Sequence, residues 1–160
     1  MKTTLCYLER DGKFLMLFRN KKNADISEGK WLGIGGKFEP GETGPECLVR
    51  EVAEETGFKL NSWVDHGIVY FVHNIHEDEE MYLYTSDDFE VPAGTPLVDG
   101  LPVPPCSEGT LAWIPTSEVC NLNMWEGDRI FLPMLAAGQV DCTMTLRYEG
   151  DSLVEYIPGH

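Results

Sequence analysis

The stretch from Gly36 to Phe58, GKFEPGETGPECLVREVAEETGF, is the most informative part of the chain. It reads as a glycine-bearing loop followed by a helix from about Thr43 to Thr56. Thr43 suits the N-cap, and Glu46 three positions later completes a capping box. Pro45 fits the first turn, and Gly57 fits the left-handed position past the end. At about 100° per residue, Glu51, Glu54 and Glu55 fall within an arc of about 100° on this helix. Leu48, Val49, Val52 and Ala53 fall mostly on the other side. One face therefore packs on a sheet and the other is a carboxylate cluster.

Three carboxylates so close repel one another and raise one another's pKa. A hard divalent cation removes that penalty, and Mg²⁺ is typically held by a few carboxylates together with substrate phosphate oxygens. Glu42, in the preceding loop, can join the cluster. The Gly35-Gly36 pair lets the backbone approach closely and offers a carbonyl oxygen as a ligand. Arg50 can brace the acids through an i,i+4 contact to Glu54. A Glu-rich helix is ordinarily just a solvated face; here the spacing argues for a site.

That spacing resembles the Nudix hydrolases, whose signature is G, five residues, E, seven residues, then R-E-apolar-x-E-E-x-G-apolar. Gly36, Glu42, Arg50, Glu51, Val52, Glu54, Glu55, Gly57 and Phe58 match it without departure. At average residue usage such a match arises by chance about once in 10⁷ chains of this size. The resemblance implies an α+β fold of the Nudix type, an α/β/α sandwich around a mixed β-sheet. It also implies Mg²⁺ or Mn²⁺, and cleavage of a diphosphate linked to another moiety, usually a nucleoside. By position, Gly36 (through its carbonyl), Glu51, Glu54 and Glu55 hold the metals. One glutamate is the general base; the motif does not say which, and Glu54 is taken here.

The likeness continues outside the box. WLGIGGKFEPGET, EGTLAWIP and NMWEGDRIFLPML resemble the MutT-type branch that hydrolyses oxidised purine nucleoside triphosphates such as 8-oxo-dGTP. In that branch a Trp followed by two Asp forms the purine pocket. Trp125 and Asp128 match the Trp and the second Asp; Gly127 replaces the first, and Leu32 stands where a base-reading Asn is expected. Thr4 keeps a hydroxyl on the first strand, and Glu108 matches a position that completes the metal cluster. Trp125 reads equally as a helix-flanking anchor, and Glu108 as a plain loop acid. Trp31, Trp63 and Trp113 read as packing. An ADP-ribose specificity is disfavoured, because that branch carries a proline about 15 residues past the box and none occurs here between Gly57 and Pro92.

Elsewhere, residues 3–9 and 13–18 read as a hairpin around Asp11-Gly12. Strands are expected over 60–72, 80–86, 110–115, 140–148 and 152–157, and a second helix over about 126–137, with Gly138 as its stop and Pro133 kinking it or marking its early turn. The run Glu77-Asp78-Glu79-Glu80 reads as a solvated turn. Residues 91–109 hold five of the ten prolines and read as an irregular loop, placed before Glu108 as a specificity flap would be. Arg19, Lys21, Lys22, Lys30 and Lys37 are five of the twelve Lys+Arg, gathered within 19 residues before the box. Lys21, Lys22 and Lys37 are the candidates for a triphosphate's outer phosphates. The four histidines form no ligand pattern and are given no role.

The 160 residues amount to a single domain, 1–160, with the box at 36–58. Twelve Lys+Arg against 27 Asp+Glu give a net charge of −15, which disfavours long nucleic acids and anionic membranes as partners. The five cysteines lack ligand spacing, and the start of the chain shows no signal peptide, so reduced thiols and a cytoplasmic location are expected. The chain thus reads as a metal-dependent pyrophosphohydrolase that cleaves a nucleoside triphosphate to the monophosphate and pyrophosphate. The alternatives are another nucleoside diphosphate-linked substrate, such as a dinucleoside polyphosphate or nucleotide sugar, and a non-catalytic nucleotide-binding module, whose mark would be a degenerate box. Oligomeric state is not encoded in any motif.

Overall fold

The computed structural model describes residues 1–21 and 26–159. In chain order the elements are β1 (Lys2–Arg10), β2 (Lys13–Phe18), β3 (Trp31–Leu32), β4 (Ile34–Lys37), α1 (Gly44–Thr56), β5 (Lys59–His73), β6 (Glu79–Glu90), β7 (Leu97–Val98), β8 (Leu101–Pro102), β9 (Thr110–Pro115), a 3₁₀ turn (Val119–Asn121), α2 (Asp128–Ala136), β10 (Met144–Glu149) and β11 (Ser152–Pro158). The β1–β2 turn uses Asp11 and Gly12, both at positive φ, as an Asp-Gly hairpin requires.

Strand β1 is the axis of the fold. It runs parallel to β6, antiparallel to β4 through Thr3–Cys6, and antiparallel to β2 at its far end. The principal sheet runs β11-β10-β5-β6-β1-β2-β3, with β4 and β9 branching from β1 and β2. It is mixed, since β10 also lies parallel to β5. Leu5 and Tyr7 of β1 pack with Phe131, Leu132 and Leu135 of α2. Cys6 and Leu8 pack with Leu48 and Val52 of α1. The period-2 alternation of one strand thus feeds two cores, each covered by a helix. This is the expected α/β/α arrangement, and a strand buried on both faces explains why residues 5–8 read as an unbroken apolar run.

Helix α1 begins and ends as expected. The Thr43 hydroxyl accepts from the Glu46 N–H, the Glu46 carboxylate accepts from the Thr43 N–H, and Gly57 closes the helix at φ 78°. Several boundaries differ from the sequence reading. Helix α2 spans 128–136 rather than 126–137 and carries Pro133 in its interior. Strand β10 starts at Met144, and the Gln139 and Val140 carbonyls before it bond the buried His66 ring. The strands read over 60–72 and 80–86 extend to 59–73 and 79–90, which brings Glu79 and Glu80 out of the expected turn.

Residues 91–107 pack away from the main cavity, and only Glu108 of the proline-rich segment reaches it. Val91, Val103 and Cys106 join the α1-side core, and Trp113 Nε1 donates to the Pro102 carbonyl at 2.8 Å. None of residues 91–107 lines the cavity, so the flap expectation fails: the prolines serve an ordered packing loop. Trp31, Trp63 and Trp113 are packing residues, as expected. The five cysteines are free thiols, and no helix among the described residues is long and apolar enough to cross a membrane.

Candidate active site

Arg50 organises the acidic face of α1. Its Nε donates to Glu42 at 2.7 Å, Nη1 to Glu51 at 2.9 Å and Glu54 at 3.2 Å, and Nη2 to Glu42 at 2.9 Å and the Lys37 carbonyl at 3.1 Å. The i,i+4 brace expected from the sequence is therefore one arm of a larger clamp that ties the helix to the preceding loop. The guanidinium beside Glu42 lowers that carboxyl to about 2. Glu42 thus spends its charge on Arg50 and does not line the cavity.

A cavity of about 920 Å³ opens where β4 and α1 meet β1. Gly36, Glu51, Glu55 and Glu108 line it, with Arg19 and Lys37. A Cβ on Gly36 would lie 2.6 Å from the Glu51 carboxylate, so that acid rests directly on the glycine backbone. Glu55 is 8% exposed, and its Oε2 accepts from the Gly35 N–H at 3.2 Å. Burial, and next the charge of Glu51, push Glu55 up to about 8; burial raises Glu51 as well. Glu108 reaches Arg19 at 3.5 Å.

These residues fit a divalent cation. The donors are all hard oxygens, they destabilise one another when ionised, and the glycine leaves open the space a side chain would fill. As they stand, no three acidic, His or Cys side chains among the described residues converge to ligand distance. Each of these carboxylates has its own partner instead: Arg50 donates to Glu51, the Gly35 amide donates to Glu55, and Arg19 forms an ion pair with Glu108.

Not every sequence-derived candidate comes to the cavity. The Glu54 side chain is 57% exposed and touches Arg50 without lining the cavity. Lys21 turns its Nζ to the Cys106 carbonyl at 3.2 Å. Lys22 lies outside the described residues. Thr4 does line the cavity, its hydroxyl 3.4 Å from Cys47 Sγ, and Leu32 stands at the wall.

A second group of side chains lines the same cavity. Trp125 meets Tyr148 edge-on at 5.6 Å, and its Nε1 donates to Ser27 Oγ at 3.0 Å. Lys30 lies over the Trp125 ring at 4.9 Å from its centroid. Phe71 and His73 pack on Tyr148 at 6.2 and 5.5 Å. Asp128, 4% exposed at the start of α2, is pushed up to about 8 by burial and then by the charge of Glu79. Reading the sequence missed Phe71, His73, Glu79 and Tyr148. Period-2 alternation in β5 could have put Phe71 and His73 on one face; no local signal marks Tyr148.

A braced acidic helix face, set over a mixed sheet beside an aromatic cavity, defines a hydrolase of diphosphate bonds of the Nudix type. The NUDIX domain model matches residues 1–135, and the chain belongs to that family. It is 28% identical over 142 residues to the uncharacterised Nudix hydrolase YvcI of Bacillus subtilis (strain 168), covering 86% of this chain and 80% of that one. It is 26% identical over 134 residues to the oxidized purine nucleoside triphosphate hydrolase of Danio rerio, covering 82% and 77% of the two chains. Among solved structures, the MutT protein of Bacillus halodurans superposes with a TM-score of 0.79 at 26% identity, covering 97% and 95%.

Gly36→Ala tests the acidic end of the cavity directly. The added methyl displaces only the far end of a flexible side chain, so the fold is expected to survive with little change in Tm. Activity is expected to fall at least about tenfold, because misplacing a single reacting group by about 1 Å can cost about a hundredfold. A variant with unchanged kinetics would show that the Glu51–Gly36 contact has no part in turnover.

Proposed function

We propose that the protein hydrolyses a purine nucleoside triphosphate, of the oxidised kind represented by 8-oxo-dGTP, to the monophosphate and pyrophosphate, using Mg²⁺ or Mn²⁺. The observation that carries this reading is that one cavity joins the Gly36, Glu51, Glu55 and Glu108 oxygens to Trp125 and Asp128. The Danio rerio relative, named for oxidised purine nucleoside triphosphates, supports it.

In this reading Glu51, Glu55, Glu108 and the Gly36 carbonyl hold the cation. When bound, it neutralises phosphate charge and acidifies water. Arg50 keeps Glu51 in place. Arg19 and Lys37 bring positive charge to the outer phosphates. Glu54 is assigned the general base: it shares the Arg50 guanidinium with Glu51, and the role requires its exposed carboxylate to turn from Arg50 into the cavity. Glu54→Gln is expected to lower kcat by roughly 10²–10⁴, the usual cost of losing a general base. A loss below about tenfold removes that role from Glu54. Trp125 supplies an aromatic face for the base, and Asp128 bonds its polar edge.

Asp128 carries its proton below about pH 8 and is then a donor. Above that pH it ionises and the donor is lost. KM is therefore expected to rise about tenfold from pH 7 to 9, the worth of one hydrogen bond, and Asp128→Asn is expected to flatten the rise. The defining experiment is an assay with Mg²⁺ over nucleoside triphosphates, 8-oxo-dGTP, dinucleoside polyphosphates and nucleotide sugars, with product analysis. Preference for the last two classes would replace this substrate.

A further inference from the structure

Gly127 brings no carboxyl to the cavity beside Asp128. The Tyr148 hydroxyl accepts from the Gly127 N–H at 2.7 Å. A Cβ on Gly127 would lie 2.6 Å from Leu146 Cδ1 and 2.8 Å from that hydroxyl. A side chain at 127 would have to displace the ends of the Leu146 and Tyr148 side chains.

An acid reaches the same cavity from another strand. Glu79, at the start of β6, lines the cavity, and its charge is felt by Asp128. Thr3 Oγ1 donates to Glu79 Oε2 at 2.5 Å, while Oε1 has no hydrogen-bond partner among the described residues. The Asp128 carboxyl is buried and also has none among the described residues, and it faces the cavity. His73 adds a buried Nδ1 without a hydrogen-bond partner. Buried polar groups are nearly always satisfied, so a cavity lined by such atoms is shaped for a polar ligand.

We propose that Glu79 is the second base-reading carboxyl of this enzyme, and that with Asp128 it selects the edge of a 6-oxo-2-aminopurine. This rests on the nucleotide reading above. A protonated Asp128 carboxyl and the Glu79 carboxyl, lining one cavity, together present one donor and at least two acceptors. A guanine-type edge presents the complement, one carbonyl acceptor and two N–H donors. A uracil edge presents two carbonyls and one N–H, and leaves an acceptor facing an acceptor. Specificity of this kind comes from the unpaired group in the wrong complex.

Glu79→Gln keeps size and the Thr3 contact but turns a charged acceptor into an amide. For a guanine-type triphosphate, KM is expected to rise about 10- to 100-fold, as for a hydrogen bond to a charged group, with kcat changed less than about threefold. For a uracil-type triphosphate KM is expected to move little, so the preference between the two narrows by the same factor. Quenching of tryptophan fluorescence by the two nucleoside monophosphates, with no turnover, is expected to show the same narrowing. A guanine-to-uracil ratio within twofold of wild type in both measurements overturns the proposal alone. A wild-type protein that cleaves no nucleoside triphosphate overturns the reading beneath it, and this proposal with it.

Discussion

Glu51→Gln is expected to lower kcat/KM by roughly 10²–10⁴, the scale on which positioned carboxylates contribute to turnover. The substitution is isosteric, and Glu51 is the point where the Arg50 clamp, the Gly36 backbone and the cavity meet. Removing its charge leaves Arg50 held by Glu42, so the helix and loop stay joined. It also relieves Glu55 of its nearest acidic neighbour, and Glu55 is expected to titrate lower. The measurement is steady-state kinetics at saturating Mg²⁺, with a melting curve as control for folding. A loss below about tenfold in a folded variant would remove Glu51 from the chemistry.

Removal of divalent metal is expected to abolish turnover altogether and to change stability in a pH-dependent way. Glu55 has its folded pKa raised from 4.5 to about 8, so its contribution to stability is present below about pH 4.5 and lost as pH rises through about 8. A cation that prefers the ionised carboxylates reverses that trend. At about 100 times its Kd, Mg²⁺ or Mn²⁺ is expected to raise Tm by roughly 5–10 °C at pH 8, and by much less at pH 5. Metal-free protein is expected to bind a triphosphate poorly, because the acidic face then repels it. A Tm insensitive to either cation across this range, or EDTA-resistant hydrolysis, would contradict the metal reading.

The acidic face of α1 was legible because every signal for it is local. The capping box, Pro45, Gly57 and the Arg50–Glu54 spacing all operate within one or two helical turns, where 3.6-residue periodicity is a sufficient guide. The Asp11-Gly12 hairpin was legible for the same reason. The run at 77–80 was not. Its charges suggest a solvated turn, yet parallel pairing of β1 with β6 sets Lys2 beside Glu80 and Thr3 beside Met81, and so brings Glu79 to the Thr3 hydroxyl. Lys21 and Lys30 were near the site in sequence, but the first bonds the Cys106 carbonyl and the second covers Trp125.

Residue types and spacing alone were enough to establish the family's chemistry: which helix carries the acids, which arginine braces them, and that a glycine must precede them. The other wall of the cavity needed the folded chain. Phe71 and Glu79 are cross-strand partners on β5 and β6, while Tyr148 comes from β10, far along the chain, and what joins all three is register across the sheet. Register is a long-range property, set by how two cores close on either side of β1, and no window of local sequence contains it.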